Sequence, residues 1–200
     1  MNVIKNTFKQ MVCEHTRRAY EERLFAGTSG NLSFFDRAEG VVYITPTSFP
    51  YESMTPSDIV TVDINGKRLE DSHEPSSEML LHLEIYQKMP RVNAVVHTHS
   101  PFATSFAVTH DEIPFILIEM EPFLGGSIPV AAYAKQGSRE VGIEAVKVMS
   151  DRNACLMANH GVVAVGEDLD CAHINAIYVE DAAKIYYYAR SNGGTVHVIE

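Results

Sequence analysis

The most constraining feature of this sequence is a short apolar run, residues 92–96, that leads directly into the triplet His97-Thr98-His99. A bounded apolar run of this length predicts a buried β-strand. Because alternate side chains of a strand face the same way, both imidazoles project from one face, within reach of a single metal ion. Two hydrogen-bonded histidines at a strand end are the alternative interpretation, so a metal site requires a third ligand.

His160 is the best candidate for that third ligand. It lies in Asn159-His160-Gly161, a tight connection that we expect between two apolar strands, residues 154–158 and 162–165. We expect Gly161 to let the backbone turn there without steric cost. Taken alone, a histidine in this position is more often structural than a ligand. Three imidazoles that leave one coordination position open describe a catalytic zinc site.

Glu78 is the candidate carboxylate. It follows Ser76 and Ser77 at the predicted N-terminus of a helix over residues 76–88, where unpaired backbone N–H groups and the helix dipole favour anions. The alternative is a capping motif, with one of the serines as the cap and Glu78 in the first turn. His82, one helical turn later, is expected to pack or to form hydrogen bonds and is left outside the site.

Two turns rich in hydroxyl groups are candidate anion sites. They are Gly27-Thr28-Ser29-Gly30-Asn31 and Thr45-Pro46-Thr47-Ser48. The N–H and hydroxyl groups of such turns can surround phosphate oxygens, although many turns of this composition bind nothing. Neither turn contains lysine or arginine. A phosphate bound here is therefore held by backbone and hydroxyl dipoles beside a cationic metal.

The remaining sequence alternates predicted helices with short strands, which favours an α/β or α+β sandwich. Helices are predicted over residues 2–25, 76–88, 101–110, 138–150 and 169–190. Strands are predicted over residues 31–35, 40–45, 58–64, 92–97, 112–118, 127–131, 154–158, 162–165 and 195–199. The 200 residues contain no linker or internal repeat, so we expect one domain, residues 1–200.

Charge and composition exclude several classes of partner. Lys and Arg total 16 against 26 for Asp and Glu, a net charge of −10, which argues against nucleic acid and anionic membranes. No apolar stretch approaches the roughly 20 residues of a membrane helix, and residues 1–8 lack the pattern of a secretory signal. The three cysteines have no metal-ligand or redox spacing, which predicts reduced thiols in a cytoplasm.

Taken in order, the motifs resemble the class II aldolase/adducin family, most of all its fuculose-phosphate aldolase branch, from about residue 27 to residue 186. The resemblance implies a three-layer sandwich with a central, mostly antiparallel β-sheet between helices. It also implies a homotetramer with active sites at subunit interfaces. It implies that His97, His99 and His160 are the ligands of one Zn²⁺ per subunit, or of another divalent metal. It further implies that Glu78 is the catalytic acid/base and an additional metal ligand in the substrate-free state.

The resemblance also implies the phosphate contacts, namely Thr28, Asn31, Thr47, Ser48, Ser76 and Ser77. The sequence departs from the branch at three places. Ser48 stands where the branch has glycine. Ile118 stands at the position of a tyrosine contributed by the neighbouring subunit, with Glu119 and Glu121 as nearby substitutes and Tyr133 as a poorer one. The sequence also ends soon after its last predicted helix, before the family's longer C-terminal tail.

The implied activity is reversible cleavage of a ketose 1-phosphate, similar to L-fuculose 1-phosphate, into dihydroxyacetone phosphate and an aldehyde through a metal-stabilised enediolate. A 5-deoxypentulose-1-phosphate aldolase, a decarboxylase and a 4-epimerase are the alternatives within the same fold. Glutamate at position 78 favours an aldolase, because the epimerase branch has aspartate. A non-catalytic adducin-like scaffold lacks the metal site, whereas this sequence keeps three histidines and the carboxylate.

Overall fold

A seven-stranded mixed β-sheet forms the centre of the computed structural model, which describes residues 2–200. The strands are β1 (Asn31–Asp36), β2 (Val41–Ile44), β3 (Val60–Asp63), β4 (Ala94–Thr98), β5 (Val130–Ala131), β6 (Ala154–Met157) and β7 (Gly161–Gly166). Their order across the sheet is β3-β2-β1-β4-β7-β6-β5. The short β5 runs parallel to β6, and every other adjacent pair is antiparallel.

Helices cover both faces of this sheet. They are α1 (Asn2–Glu21), α2 (Met79–Lys88), α3 (Pro101–Thr109), α4 (Met120–Leu124), α5 (Arg139–Val148) and α6 (Leu169–Ser191). One apolar core lies between the sheet and α1, α3, α4 and α6, and a second lies between the sheet and α2 and α5. Because both faces are covered, β4 and β7 are buried along their whole length, which explains their apolar sequences. The expected three-layer arrangement is confirmed.

Sheet register brings two distant motifs together. Asn31, the first residue of β1, lies directly opposite His97 of β4. Cross-strand partners project from the same face, here the face covered by α2 and α5. The segment before α2 is fixed to the same region, because the N–H of Ser76 donates to the carbonyl oxygen of Thr45 over 3.0 Å. Strand pairing thus places the chemistry-bearing residues at one end of the sheet.

The predicted start of α2 is three residues too early. The helix begins at Met79 because Ser76 is bonded to the strand-end residue Thr45, and the Met79 N–H then closes a turn onto the Ser76 carbonyl oxygen. Glu78 is accordingly the residue that precedes the helix, outside its first turn.

Two predicted strands do not form. Residues 112–118 contribute only an isolated bridge between Ile113 and Ile128. Residues 195–199 remain irregular, with one backbone hydrogen bond from Ile199 to Phe115. Short α4 was not predicted, and α1 ends at Glu21, four residues before the predicted end. These errors lie in segments outside the central strands, and in those segments the hydrophobic periodicity is weakest.

Within residues 2–200, no helix is long and apolar enough to cross a lipid bilayer. The three cysteines, Cys13, Cys155 and Cys171, are free thiols.

Candidate active site

Four side chains that are distant in sequence meet at the end of β4. Ligand atoms of Glu78, His97, His99 and His160 all lie within 4.8 Å of one another. His97 belongs to β4, His99 follows it, His160 lies in the turn between β6 and β7, and Glu78 precedes α2. The Glu78 carboxylate lies 2.8 Å from His97 Nε2 through Oε2 and 2.9 Å from His160 Nε2 through Oε1. His99 Nε2 lies 2.9 Å from His97 Nε2.

The arrangement of donor atoms fits a divalent cation. The Nδ1 of His97 lies 2.7 Å from the carbonyl oxygen of Val162, an acceptor, so His97 donates its Nδ1–H and its neutral form presents the Nε2 lone pair to the cluster. Glu78 Oε1 and His160 Nε2 are buried and make no aligned hydrogen bond. Buried lone pairs that face one another without a shared proton are costly unless a cation binds them. Three imidazoles and one carboxylate are typical ligands of zinc and similar metals.

Protonation favours ligation at two of these positions. Burial, together with the neighbouring His97 and His160, lowers the pKa of His99 to about 4. Burial alone would raise the pKa of the Glu78 carboxyl, but His97 and His160 beside it hold the pKa below its usual range. At neutral pH His99 is therefore a neutral imidazole and Glu78 is an ionised carboxylate, the forms that bind metal.

The turn that carries His160 corrects one prediction. Gly161 was expected to provide the turn, but Asn159 is the residue with a positive φ, +55°, a conformation that asparagine tolerates. Gly161 is required for a different reason. A Cβ at Gly161 would lie 2.4 Å from the carbonyl oxygen of Thr98, so a side chain there would push β7 away from β4.

A polar cavity of about 150 Å³ adjoins the histidine cluster. Its lining residues are Thr28, Ser29, Gly30, Asn31, Pro46, Thr47, Ser48, Ser76, Ser77, Glu78 and Gln136. All six predicted phosphate contacts are among them. Two serines precede the N-terminus of α2, where the helix dipole favours an anion. Ser48 has a φ of +52°, a conformation that favours glycine, the residue that the resemblance implies at this position.

Gln136 lines this cavity and was not predicted. It lies in the loop between β5 and α5, and its neighbour Gly137 passes so close to Ser77 that a Cβ would lie 3.2 Å from the Ser77 carbonyl oxygen. The loop therefore packs over the serine segment and places Gln136 in the wall of the cavity. A polar residue in an irregular loop carries no periodic signal, so only the fold reveals this proximity.

Ile118, at the position of the missing tyrosine, and the three candidate substitutes, Glu119, Glu121 and Tyr133, lie elsewhere within a single chain. Ile118 is 74% exposed and Tyr133 is 67% exposed, and Glu119 and Glu121 are also exposed. None of these four residues lines the cavity or belongs to the metal cluster within the described chain. Their assignment to the reaction stays a prediction that depends on a neighbouring subunit.

Comparison with known proteins gives concordant results. A sequence profile of the Class II Aldolase and Adducin N-terminal domain matches residues 10–187. A 5-deoxy-D-ribulose 1-phosphate aldolase from Bacillus thuringiensis serovar kurstaki is 34% identical over 185 residues, which cover 92% of this chain and 86% of that protein. An L-fuculose phosphate aldolase from Escherichia coli strain K12 is 39% identical over 160 residues, covering 80% of this chain and 73% of that protein.

The fold agrees with these relatives. A solved L-fuculose 1-phosphate aldolase matches with a TM-score of 0.92 at 36% sequence identity, covering 97% of this chain and 91% of that one. The resemblance inferred from the motifs and the assignment to the lyases are confirmed, since both curated relatives are aldolases. This chain therefore belongs to the class II aldolase and adducin family, as one of its lyases.

Proposed function

We propose that this protein is a zinc-dependent aldolase that reversibly cleaves a ketose 1-phosphate to dihydroxyacetone phosphate and an aldehyde. The observation that carries the proposal is the position of Glu78. Its carboxylate contacts His97 and His160 of the metal cluster and also lines the polar cavity. One proton-transfer group thus lies between a metal position and an anion position.

His97, His99 and His160 would hold the metal, with Glu78 as a further ligand before substrate binds. When bound, the metal supplies Lewis-acid polarisation of the substrate carbonyl. The hydroxyl groups of the cavity and the N-terminus of α2 would bind the phosphate and fix the distance between C1 and the cluster. The acidic chain thereby binds an anion without a lysine or arginine among the described lining residues.

Glu78 is the residue placed to exchange a proton with C3 of the substrate. On cleavage the C3–C4 bond breaks, its electron pair stays with C3, and the proton of the C4 hydroxyl passes to a second group. Glu78, which is ionised in the resting site, takes up one proton from solvent and donates it to C3, which completes dihydroxyacetone phosphate. The second group releases the C4 hydroxyl proton to solvent, so one proton enters and one leaves. Exposed Ile118, Glu119, Glu121 and Tyr133 mark the surface from which a neighbouring subunit would present that second group.

A 5-deoxypentulose 1-phosphate is the second candidate substrate. Cleavage of its C3–C4 bond releases a two-carbon aldehyde without a hydroxyl group, which needs less polar recognition than the aldehyde from fuculose 1-phosphate. Ile118, an apolar residue at the position where the resemblance implies tyrosine, favours this candidate. Of the two curated aldolases reported above, the one that covers more of this chain, 92%, is also named for a 5-deoxyribulose phosphate.

The test is a substrate panel assayed for released dihydroxyacetone phosphate. Purified protein is stripped with a chelator, reconstituted with Zn²⁺, and given L-fuculose 1-phosphate, 5-deoxyribulose 1-phosphate or ribulose 5-phosphate. We expect cleavage of a ketose 1-phosphate that disappears with the metal and returns with Zn²⁺. Full activity after complete metal removal would contradict the proposal, as would conversion of ribulose 5-phosphate to its epimer without cleavage.

We also propose a homotetramer with active sites at its subunit interfaces. Exposed apolar residues on three separate segments support it, with Ile118 at 74%, Tyr133 at 67% and Tyr188 at 55% exposure. Light scattering combined with size exclusion should give four times the mass of one chain. A fully active monomer would contradict this part of the proposal.

The three free cysteines fit a reducing compartment, so we propose a cytoplasmic location, to be tested by cell fractionation.

A further inference from the structure

A chain of buried hydrogen bonds runs from the interior of the protein to Glu78. Asn31 Nδ2 donates to Glu78 Oε2 over 3.1 Å, and Asn31 Oδ1 lies 2.5 Å from His82 Nε2. On the other side of the ring, His82 Nδ1 lies 2.6 Å from Ser33 Oγ, which lies 2.6 Å from the hydroxyl of Tyr86. All five side chains are buried, and His82 and Ser33 are 0% exposed. The reaction scheme above uses only Glu78 and Asn31 of this set.

The chemistry of the groups fixes the direction of every bond in this chain. An ionised carboxylate only accepts, so Asn31 must turn its NH₂ group towards Glu78 and its oxygen towards His82. His82 must then carry its proton on Nε2 and accept at Nδ1 from the hydroxyl of Ser33. The Ser33 oxygen in turn accepts from Tyr86. Both nitrogens of His82 are therefore occupied, which excludes His82 as a metal ligand in this arrangement.

We propose that His82 is a positioning residue that fixes the Asn31 amide with its NH₂ group directed at Glu78 and at the anion cavity. Asn31 lines that cavity, so the orientation of its amide decides whether a bound phosphate meets a donor or an acceptor. A reversed amide would set the Asn31 oxygen against the Glu78 carboxylate and against the phosphate. His82 thus acts on the anion site through Asn31, without touching the ligand.

The location of His82 supports this role. It lies one turn after Glu78 on α2, so a single helix carries both the proton-transfer residue and the side chain that positions its partner. Asn31 approaches from the sheet, opposite His97. Burial, with a smaller contribution from His97, lowers the pKa of His82 to about 3, so its imidazole stays neutral and keeps one donor and one acceptor nitrogen.

Two amide substitutions separate positioning from simple packing. In His82→Gln the side-chain nitrogen reaches the place of Nε2 and can still donate to Asn31. In His82→Asn the shorter amide reaches only the place of Nδ1, so the bond to Ser33 can persist while the bond to Asn31 is lost. Both variants replace the ring with a neutral amide. The probe is inorganic phosphate, titrated calorimetrically into the whole protein, so the measurement does not depend on any aldolase activity.

We expect His82→Asn to weaken phosphate binding roughly ten-fold, the equivalent of about 1.4 kcal/mol. His82→Gln should stay within about three-fold of the unmodified protein. In an Asn31→Ala background, His82→Asn should have no further effect, because the residue through which it acts is gone. Equal losses in both amide variants, or a full loss that persists with Asn31→Ala, would overturn the proposal in favour of a packing role.

The tautomer provides a test that needs neither phosphate affinity nor a variant. Nuclear magnetic resonance of protein labelled with ¹⁵N-histidine should show His82 as the neutral Nε2–H form, with a proton that exchanges slowly because the ring is fully buried. The Nδ1–H tautomer would overturn the proposal, since it leaves no donor for Asn31. The orientation of Asn31 by His82 does not depend on the proposed function; only its effect on phosphate binding does. The Nε2–H tautomer in a protein without aldolase activity would therefore refute the proposed function and leave the positioning role of His82 intact.

Discussion

Two glycines at opposite ends of β7 provide a controlled test of the metal site. A Cβ at Gly161 would lie 2.4 Å from the carbonyl oxygen of Thr98, and 3.3 Å from both a His97 and a His99 ring carbon. A Cβ at Gly166 would lie equally close, 2.4 Å, to the backbone nitrogen of Ala172, at the far end of the strand. Neither glycine has a positive φ, so each alanine variant introduces a steric clash without strain in the backbone conformation.

The size of each effect follows from these distances. Ordinary contact begins near 3.4 Å, so either alanine must displace a backbone atom by about 1 Å. Overpacking of this kind costs about 1–3 kcal/mol of unfolding free energy, and each kcal/mol lowers the melting temperature of a 200-residue protein by about 2–4 °C. At Gly161 the displaced segment carries two of the proposed ligands. Metal–ligand distances tolerate only about 0.2 Å, so we expect Gly161→Ala to weaken Zn²⁺ binding at least about 100-fold.

The assay compares the two variants under one protocol. Melting temperatures are measured on metal-free protein, and Zn²⁺ affinity by competition with a chromophoric chelator. A Cβ at Gly166 would also lie 2.8 Å from the Cβ of Cys171 and 2.9 Å from the carbonyl oxygen of Asp168. We therefore expect Gly166→Ala to lower the melting temperature at least as much as Gly161→Ala, with normal Zn²⁺ affinity only in Gly166→Ala. Normal Zn²⁺ affinity in Gly161→Ala would refute the assignment of His97 and His99 as ligands. Equal losses of affinity would show that global destabilisation, rather than ligand displacement, controls binding.

Three further predictions address the remaining parts of the site. Glu78→Gln should retain bound metal, measured by elemental analysis, and lower kcat by about 10²–10⁴, because the amide cannot exchange the C3 proton. Gln136→Glu places a negative charge at the cavity and should raise KM for a sugar phosphate several-fold at low salt, with a smaller increase at high salt. Gln136→Met is neutral, so its KM should show little change in salt dependence. Stability should fall below pH 6.5, because the folded protein keeps His82 neutral with a pKa of about 3 while the unfolded chain protonates. Between pH 7 and pH 5, urea unfolding should show a loss of stability that is smaller by about 2 kcal/mol in His82→Gln than in the unmodified protein, the rest coming from other buried histidines such as His99.

The parts of the structure that could be predicted are those with a strong local pattern. The strand before His97 is apolar because it is covered on both faces, and that pattern is visible without the fold. Gly161 shows the limit of such reasoning. A glycine in a turn sequence suggests conformational freedom, but the structure requires it for the close approach of Thr98, a residue 63 positions away. Only strand pairing reveals that contact.

Polar residues were predicted less well than apolar ones for a related reason. Gln136 and His82 are each placed by a neighbour that is distant in sequence. Gln136 is placed by the approach of its neighbour Gly137 to Ser77, and His82 by a direct hydrogen bond to Asn31. A single polar residue on a loop or helix carries no periodicity, so its partner cannot be inferred from spacing. The expectation that His82 forms hydrogen bonds was right, but its connection to Glu78 required the register that sets Asn31 opposite His97.

The electrostatics of the site are compatible with the anionic ligand that we propose for this acidic chain. The net charge of −10 opposes a phosphate, and none of the described residues that line the cavity is a lysine or an arginine. The available positive potential comes from the N-terminus of α2, from hydroxyl and amide dipoles, and from a cation bound by the histidines. Because Glu78 occupies the boundary between the cluster and the cavity, its negative charge must be compensated before a phosphorylated substrate can approach. Under the proposed function, metal binding would therefore have an electrostatic role that precedes the chemistry, and the affinity of the cavity for phosphate would depend on the occupancy of the histidine cluster.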